Sequence, residues 1–528
     1  MTHPTENAAL PLHDLLIPTP RSLTAGDGGP LVVGDRLRLS SPHAGLATVT
    51  PLVVDLLRAE GVTLVDAEPD DAIGPATLGL ELRPDADGGA NRTQDSEAYA
   101  LSVSDRGISI TAASPAGIFY GAQTLAQFLS SGRGGARSIP ALHIHDAPRF
   151  RYRGAMLDVA RHFFDVDTVK SYIDRIALAK LNHLHLHLSD DQGWRLHIDS
   201  WPRLTERGSS GAVGGGAGGF YTHDDYREIV AYAAERFVTV VPEIDLPGHT
   251  HAAIVAYPEL APPLYAGAPD SAERPEDDTP APEFAPYGGV EVGFSTVDTR
   301  SDVVHRFVAD VTREIAALTP GPYLHLGGDE SLSTSEEDYL DFLARASAAA
   351  STTGKTLVFW HEAGASAELP PGTIGQYWDY LIPRGRSADQ TRRFVENAGA
   401  VILSPADAIY VDMKHADDDP LGLVWADGPT NVETSYSWEP DEVIAGLSPD
   451  AILGIEAPLW SETIESLADI DALAFPRLLA AAEIAWSPRP SESPERTWSS
   501  FRRRLVGWQP RLDALGIGYT RAEGVDWS

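Results

Sequence analysis

From Arg153 onward, short strand-like runs alternate with longer amphipathic helical runs, and eight such runs can be counted. The strand-like stretches are 154–160, 183–188, 238–245, 323–326, 356–360, 373–378, 400–404 and 452–457. Helical spacing covers 166–181, 224–236, 302–318, 336–350 and 473–485. Strands separated by helices pair in parallel, and eight such units predict a (β/α)₈ barrel. A doubly wound sheet uses similar units but opens with a glycine-rich phosphate loop, and none is visible here. In a barrel of this kind the chemistry sits at the C-terminal ends of the strands. The residues directly after each run are therefore the candidate site.

Those strand ends are unusually polar. In order they carry Asp158, Arg161 and His162; Asp190, Asp191 and Trp194; Glu243, Asp245 and His249; Asp329 and Glu330; Trp360, His361 and Glu362; Trp378; Tyr410 and Asp412; Trp460 and Glu462. Aromatic faces stack on the C–H faces of a sugar ring, while carboxylates and an arginine take its hydroxyls. The mixture points to a carbohydrate ligand. Asp329 and Glu330 follow Gly327-Gly328, which allow a sharp turn or a close approach. Two adjacent carboxyls resist ionising together, so one keeps a proton beside an ionised partner. That pairing suits acid–base work on a glycosidic oxygen. His183, His185 and His187 share a strand face and raise a metal-site alternative. They precede the strand end, which favours packed barrel histidines. Trp194 and Trp201 read as structural, and Asp191 as a cap or a partner of Arg195.

The remaining sequence bounds the setting. The chain has 528 residues, enough for a barrel with insertions plus an accessory domain. Residues 1–147 read as a small α+β domain, with 1–22 as a polar, proline-bearing tail, and 148–528 as the barrel. Asp105-Arg106-Gly107 marks a hairpin turn in the first domain. A glycine-rich stretch at 208–219 predicts a flexible loop over the barrel mouth. An acidic, proline-rich insert at 262–291 predicts a long mobile surface loop. Formal net charge is −36, from 76 acidic against 40 basic residues, which argues against nucleic-acid and anionic-membrane partners. The absence of cysteine excludes disulfides, thiolate metal sites and cysteine nucleophiles. No basic start followed by an apolar run opens the chain, so no signal peptide is visible and the expected location is cytoplasmic. The Asn91-Arg92-Thr93 sequon is discounted on the same ground.

Four long motifs, in order, resemble the β-N-acetylhexosaminidases of glycoside hydrolase family 20: Arg153 to Phe164, His183 to Arg195, Pro242 to His249, and His325 to Glu330. The resemblance runs from about Phe150 to near the C-terminus, and the α+β domain is the family's usual companion. It implies an exo-acting enzyme that releases terminal GlcNAc, or GalNAc, from β-linked oligosaccharides with retention. It implies substrate assistance: the 2-acetamido oxygen attacks the anomeric carbon and forms an oxazolinium. On that basis Glu330 is the general acid and base, Asp329 orients and stabilises the acetamido group, and Tyr410 hydrogen-bonds its oxygen. Trp360, Trp378 and Trp460 wall the pocket. Arg161 and Glu462 hold the 3- and 4-hydroxyls, and Asp412 and Trp425 the 6-hydroxyl end. Asp190, Asp245 and His249 support the acid pair. No cofactor or metal is implied. A disaccharide-releasing lacto-N-biosidase is the alternative. Two features depart from the pattern. The 262–291 insert is long, and His361-Glu362 puts an extra acid where neutral polar residues are common.

Overall fold

The computed structural model describes residues 12–41, 44–66, 76–83, 95–130, 137–263 and 284–527. The sequon at 91–93, most of the acidic insert and the first residues of the tail lie outside them. The chain forms two compact units. One comprises Tyr152–Ala177 and Leu181–Ala481; the other comprises Met1–Arg151, Leu178–Lys180 and Ala482–Ser528.

The larger unit is a closed parallel barrel. Its strands are β1 (Tyr152–Asp158), β2 (His183–His187), β3 (Thr239–Glu243), β4 (Tyr323–His325), β5 (Thr356–Trp360), β6 (Ile374–Tyr377), β7 (Val401–Leu403) and β8 (Ile452–Ala457). Strand β8 returns to pair with β1. The expected (β/α)₈ architecture is present. Side chains begin its helices where the pattern predicts: Thr222 caps His223–Glu235 with a capping box, and Ser335 caps Glu336–Ser351. Asp302–Leu318 buries Val304, Phe307, Val308, Val311 and Ile315, one stripe at helical spacing. The single helix expected at 473–485 is two, Leu467–Ala474 and Arg477–Trp486. Pro476 lacks the N–H a helix needs and disfavours helical geometry at Phe475.

The barrel interior is layered. An apolar layer holds Tyr152, Val241, Val358, Ile374 and Ile402. Closer to the rim lie His185, Glu243, His325, Gln376 and Glu456, all fully buried. Strand register produces the layer, since His187 sits opposite Glu243 and Glu243 opposite His325. Gly154 makes room for it: a Cβ there would lie 2.6 Å from a Glu456 carboxylate oxygen.

The smaller unit carries a seven-stranded and a two-stranded sheet with helices Thr50–Ala59 and Pro115–Ser130. Tyr99–Ser104 and Gly107–Ala112 pair antiparallel across the expected turn. Strands Ser22–Ala25, Thr63–Asp66, Arg137–Ile139 and Leu142–Asp146 are additional to those expected, and none is longer than five residues. Residues 482–528 group with this unit rather than with the barrel, as their ion pairs explain. Glu483 accepts from Arg504 at 2.7 and 2.8 Å and from the Thr19 amide at 2.9 Å. Arg511 meets Glu60 at 3.0 Å. These buried pairs link the two ends of the chain, which sequence adjacency could not reveal.

The glycine-rich stretch at 208–219 is anchored rather than free-standing. Arg195, fully buried, donates to the carbonyls of Ser209, Gly211 and Gly219 and to those of Val159 and Ala160. The expected Asp191–Arg195 pairing is therefore not made. Asp191 instead accepts from Ser295 and from the His251 amide.

Candidate active site

Strand β4 ends at His325, and the backbone then turns through two left-handed glycines, Gly327 at φ +64° and Gly328 at φ +101°. A Cβ on Gly327 would fall 1.7 Å from Asp245 Oδ1. That oxygen accepts the Gly328 amide at 3.1 Å. The turn thus presses the acid pair against the end of β3. Glu330 (φ +45°) and His249 (φ +53°) also adopt left-handed backbone, a cost non-glycine residues bear mostly at functional sites. His249 Nε2 lies 3.5 Å from Glu330 and 3.7 Å from Asp329, so both carboxyls converge on one nitrogen.

A chain of charges runs from that point into the barrel. His249 Nδ1 is 3.3 Å from Asp190, and Asp190 also takes Arg161 at 2.9 Å and His187 at 2.9 Å. His187 continues to Glu243, and His185 bridges Glu243 at 3.1 Å and Glu456 at 2.8 Å. Burial alone would strip the charge from these groups, but their partners outweigh it. Arg161, His249 and His187 hold Asp190 well below the carboxylate range. Glu456 and Glu243 hold His185 up at about 10, and Glu243 and Asp190 hold His187 at about 9. A raised folded-state pKa stabilises fully below the unfolded value, roughly 6.5 for histidine, and the contribution fades as pH climbs to the folded value. Barrel stability is accordingly expected to fall between about pH 6.5 and 10. Urea midpoints followed by tryptophan fluorescence would show it; a flat profile over that range would count against two buried imidazoliums.

Asp245 and Asp329 form a second buried acid pair. Burial and then the charge of Asp329 push Asp245 well above its ordinary value. Burial first, then the Glu362 and Glu330 charges against the opposing pull of His249, set Asp329 at about 7. Both carboxyls are thus pushed up, Asp245 well above its ordinary value and Asp329 to about 7.

The walls come from the other strand ends. Trp360 and Trp460 lie 6.1 Å apart, and the Arg161 guanidinium sits 4.8 Å over Trp460. Tyr410 packs with Trp378, Trp460 and Met413. Burial and the Asp412 and Asp329 charges raise its phenol well above 10, so its proton stays on. Trp425 stands at the rim, 43% exposed, edge-on to Tyr410 at 5.6 Å and to Trp378 at 6.0 Å. Burial and Glu462 push Asp412 up; burial also raises Glu462, opposed by Arg161. Among the described residues, buried atoms without a hydrogen-bond partner concentrate here: Asp329 Oδ1, both Asp412 oxygens, Glu462 Oε2 and Trp360 Nε1. Buried polar atoms normally find partners, and a polyhydroxylated ligand would supply them. These contacts bring the thirteen site residues expected from the sequence together at the C-terminal ends of the barrel strands.

Three-donor groups such as Asp190–Asp191–His249 have the spacing to hold a cation. His185 with Glu243 and His325, and His187 with Glu243 and Asp245, form two more such groups. Both ring nitrogens of His185 and His187 face carboxylates.

Residues 150–489 match the Glycosyl hydrolase family 20 catalytic domain, and residues 14–147 match domain 2 of the same family. The chain belongs to glycosyl hydrolase family 20. It is a glycoside hydrolase of the β-N-acetylhexosaminidase kind. A β-N-acetylhexosaminidase from Cellulomonas fimi is 38% identical over 97% of both chains. The β-N-acetylhexosaminidase structure from Streptomyces coelicolor A3(2) is 42% identical, covers 98% of this chain and 99% of its own, and superposes with a TM-score of 0.84. The Streptomyces plicatus N-acetyl-β-hexosaminidase complex with Thio-NAglucal is 40% identical over 98% of both chains, with a TM-score of 0.85. An N,N'-diacetylchitobiase from Vibrio harveyi is 28% identical over 89% of this chain and 62% of its own.

Sequence reasoning left three contributors out of this hydrolase's site. Asp158 accepts the amides of Ala160, Arg161 and Ser461 and so joins the β1 and β8 rim loops. Glu243 holds His187 from below. Glu362 touches Trp378. All three were visible as strand-end acids; what they face was not. Burial, against the Trp378 hydrogen bond and helped by Glu330 and Asp379, pushes the Glu362 carboxyl up to about 8.

Proposed function

We propose that this hydrolase removes single terminal GlcNAc, and with it GalNAc, from the non-reducing ends of β-linked oligosaccharides with retention. Chito-oligosaccharides are the leading substrate class, which the kinship to a chitobiase supports. The observation that carries the reading is that Asp329 and Glu330 both approach the same nitrogen of His249. A retaining enzyme with its own nucleophile sets its two carboxyls on opposite faces of the sugar. Here the adjacent Asp329 and Glu330 serve instead as the acetamido partner and the proton donor, and the attacking atom is the substrate's acetamido oxygen.

Glu330 donates its proton to the glycosidic oxygen as the C–O bond breaks. The acetamido oxygen bonds to the anomeric carbon, and the positive charge spreads over the oxazolinium ring. Ionised Asp329 faces the acetamido nitrogen, and the Tyr410 hydroxyl donates to the acetamido oxygen. Glu330, now ionised, takes a proton from water as that water opens the ring. Arg161 and Glu462 hold the 3- and 4-hydroxyls, and Asp412 with Trp425 the 6-hydroxyl end. Trp360, Trp378 and Trp460 enclose the acetyl group and exclude water, which strengthens the Asp329 interaction. Names among the relatives give no support to the lacto-N-biosidase alternative. No helix among the described residues is long and apolar enough to cross a membrane.

A thiazoline that mimics the cyclised intermediate is expected to inhibit competitively, with Ki about 10²-fold or more below KM. Inhibition no tighter than by free GlcNAc would remove the intermediate from the scheme. Aryl β-glycosides differing at carbon 4 measure GlcNAc against GalNAc preference in the same assay.

A further inference from the structure

We propose that Glu362 is the positioning residue for the acetamido pocket: it holds the Trp378 indole in place and thereby sets which N-acyl groups the enzyme accepts. The proposal rests on the acetamido reading of the pocket given above.

Trp378 follows β6 and Glu362 lies two residues beyond Trp360, so neighbouring strand ends bring them together. The Trp378 Nε1–H points between both Glu362 oxygens, 2.9 Å from each. Packing restrains the indole through Trp425 at 6.0 Å, His361 at 5.5 Å and the cluster that holds Tyr410 and Met413. Beside it opens a cavity of about 610 Å³, lined by Trp378, Glu362, Glu330, Tyr339, Arg386 and Gln390. A flat ring next to that much open volume has somewhere to swing. Apolar contact alone is non-directional, whereas the hydrogen bond fixes the ring's angle.

Glu362 is itself held. It lies in the short helix His361–Ala365, whose Glu362 carbonyl accepts from Gln390 Nε2 at 3.3 Å. His361 Nδ1 is 3.4 Å from its carboxyl, and burial drops that imidazole to about 4, so it stays neutral. The other titratable groups around Glu362 are Glu330, Asp379, Asp329, Tyr339 and Tyr410. Arg386 is engaged with Glu336 at 3.0 Å.

The test uses Glu362→Leu, Glu362→Gln, Trp378→Phe and the double variant Glu362→Leu/Trp378→Phe. Each is assayed on aryl β-glycosides bearing acetamido, propionamido or hydroxyl at carbon 2. Glu362→Leu is expected to lose roughly 10- to 100-fold in kcat/KM on the acetamido substrate, the scale of a misplaced pocket wall. Its preference for acetamido over propionamido is expected to narrow, because a loosened indole yields to the larger acyl group. Glu362→Gln, which keeps an acceptor, is expected to restore the preference. On the Trp378→Phe background, which has no N–H, adding Glu362→Leu is expected to cost nothing further. Unchanged preference in Glu362→Leu, or the same loss with and without the Trp378 N–H, would overturn the proposal. Should Glu362→Leu not fold, Trp378→Phe must narrow the preference by itself and Glu362→Gln must keep it. Wild-type enzyme that cleaves the carbon-2 hydroxyl substrate as well as the acetamido one overturns both this proposal and the acetamido reading. If only the variants fail to respond, the proposal alone falls.

Discussion

Aryl β-glucosides, which carry a hydroxyl in place of the acetamido group, are expected to be cleaved at least about 10⁵-fold more slowly than the matching GlcNAc compounds. The size follows from where the nucleophile is. An acetamido arm held between Asp329 and Tyr410 reacts within one molecule, and well-placed intramolecular groups reach effective concentrations of roughly 10⁵–10⁸ M. A glucoside loses that arm. Asp329 and Glu330 meet at one histidine nitrogen, and Asp190, Asp245 and Glu243 are occupied in buried hydrogen bonds and ion pairs. The measurement is kcat/KM for the two compounds with one leaving group. Comparable values would mean that a protein group does the attacking.

The second large effect belongs to Glu330→Gln. The amide cannot give up a proton, so turnover of natural oligosaccharides, whose sugar leaving groups need protonation, is expected to drop by roughly 10²–10⁴-fold. A nitrophenyl leaving group departs as a stable anion and needs far less help. Its cleavage is expected to fall much less, with ring opening becoming the slow step because the base is gone too. A comparison of kcat on chitobiose and on an activated aryl glycoside decides it. Equal losses on both would take the proton-donor role away from Glu330. The side chain is 31% exposed, against 12% for Asp329. That contrast suits a residue that must exchange a proton with incoming water beside one that must stay ionised in a dry site.

Much of this was readable in the chain because barrel periodicity is local. A strand such as His183–His187 and a helix such as Asp302–Leu318 announce themselves over a few residues, and the residue after each strand is the rim. Gly327-Gly328 before Asp329 likewise signalled a turn that only glycine tolerates. Contacts between distant segments were not readable. Asp191 reads from the sequence as a cap or a partner of Arg195; it accepts the amide of His251, the first residue of a helix, while Arg195 bonds five backbone carbonyls in two loops. Glu483 and Arg504 gave no sign that they belong with Thr19.

The order of residues by itself determined the barrel, its polar rim and the adjacent acid pair, because spacing along a chain sets which side chains share a face. Only the tertiary structure decided the state of those groups. Which carboxyl keeps a proton, which imidazole is charged and which indole is anchored depend on burial and on neighbours hundreds of residues away. Glu456 beside His185, 271 residues away in the chain, shows this most plainly. Electrostatic energy in a poorly solvated interior grows steeply as charges approach, and those separations exist only once the barrel has closed.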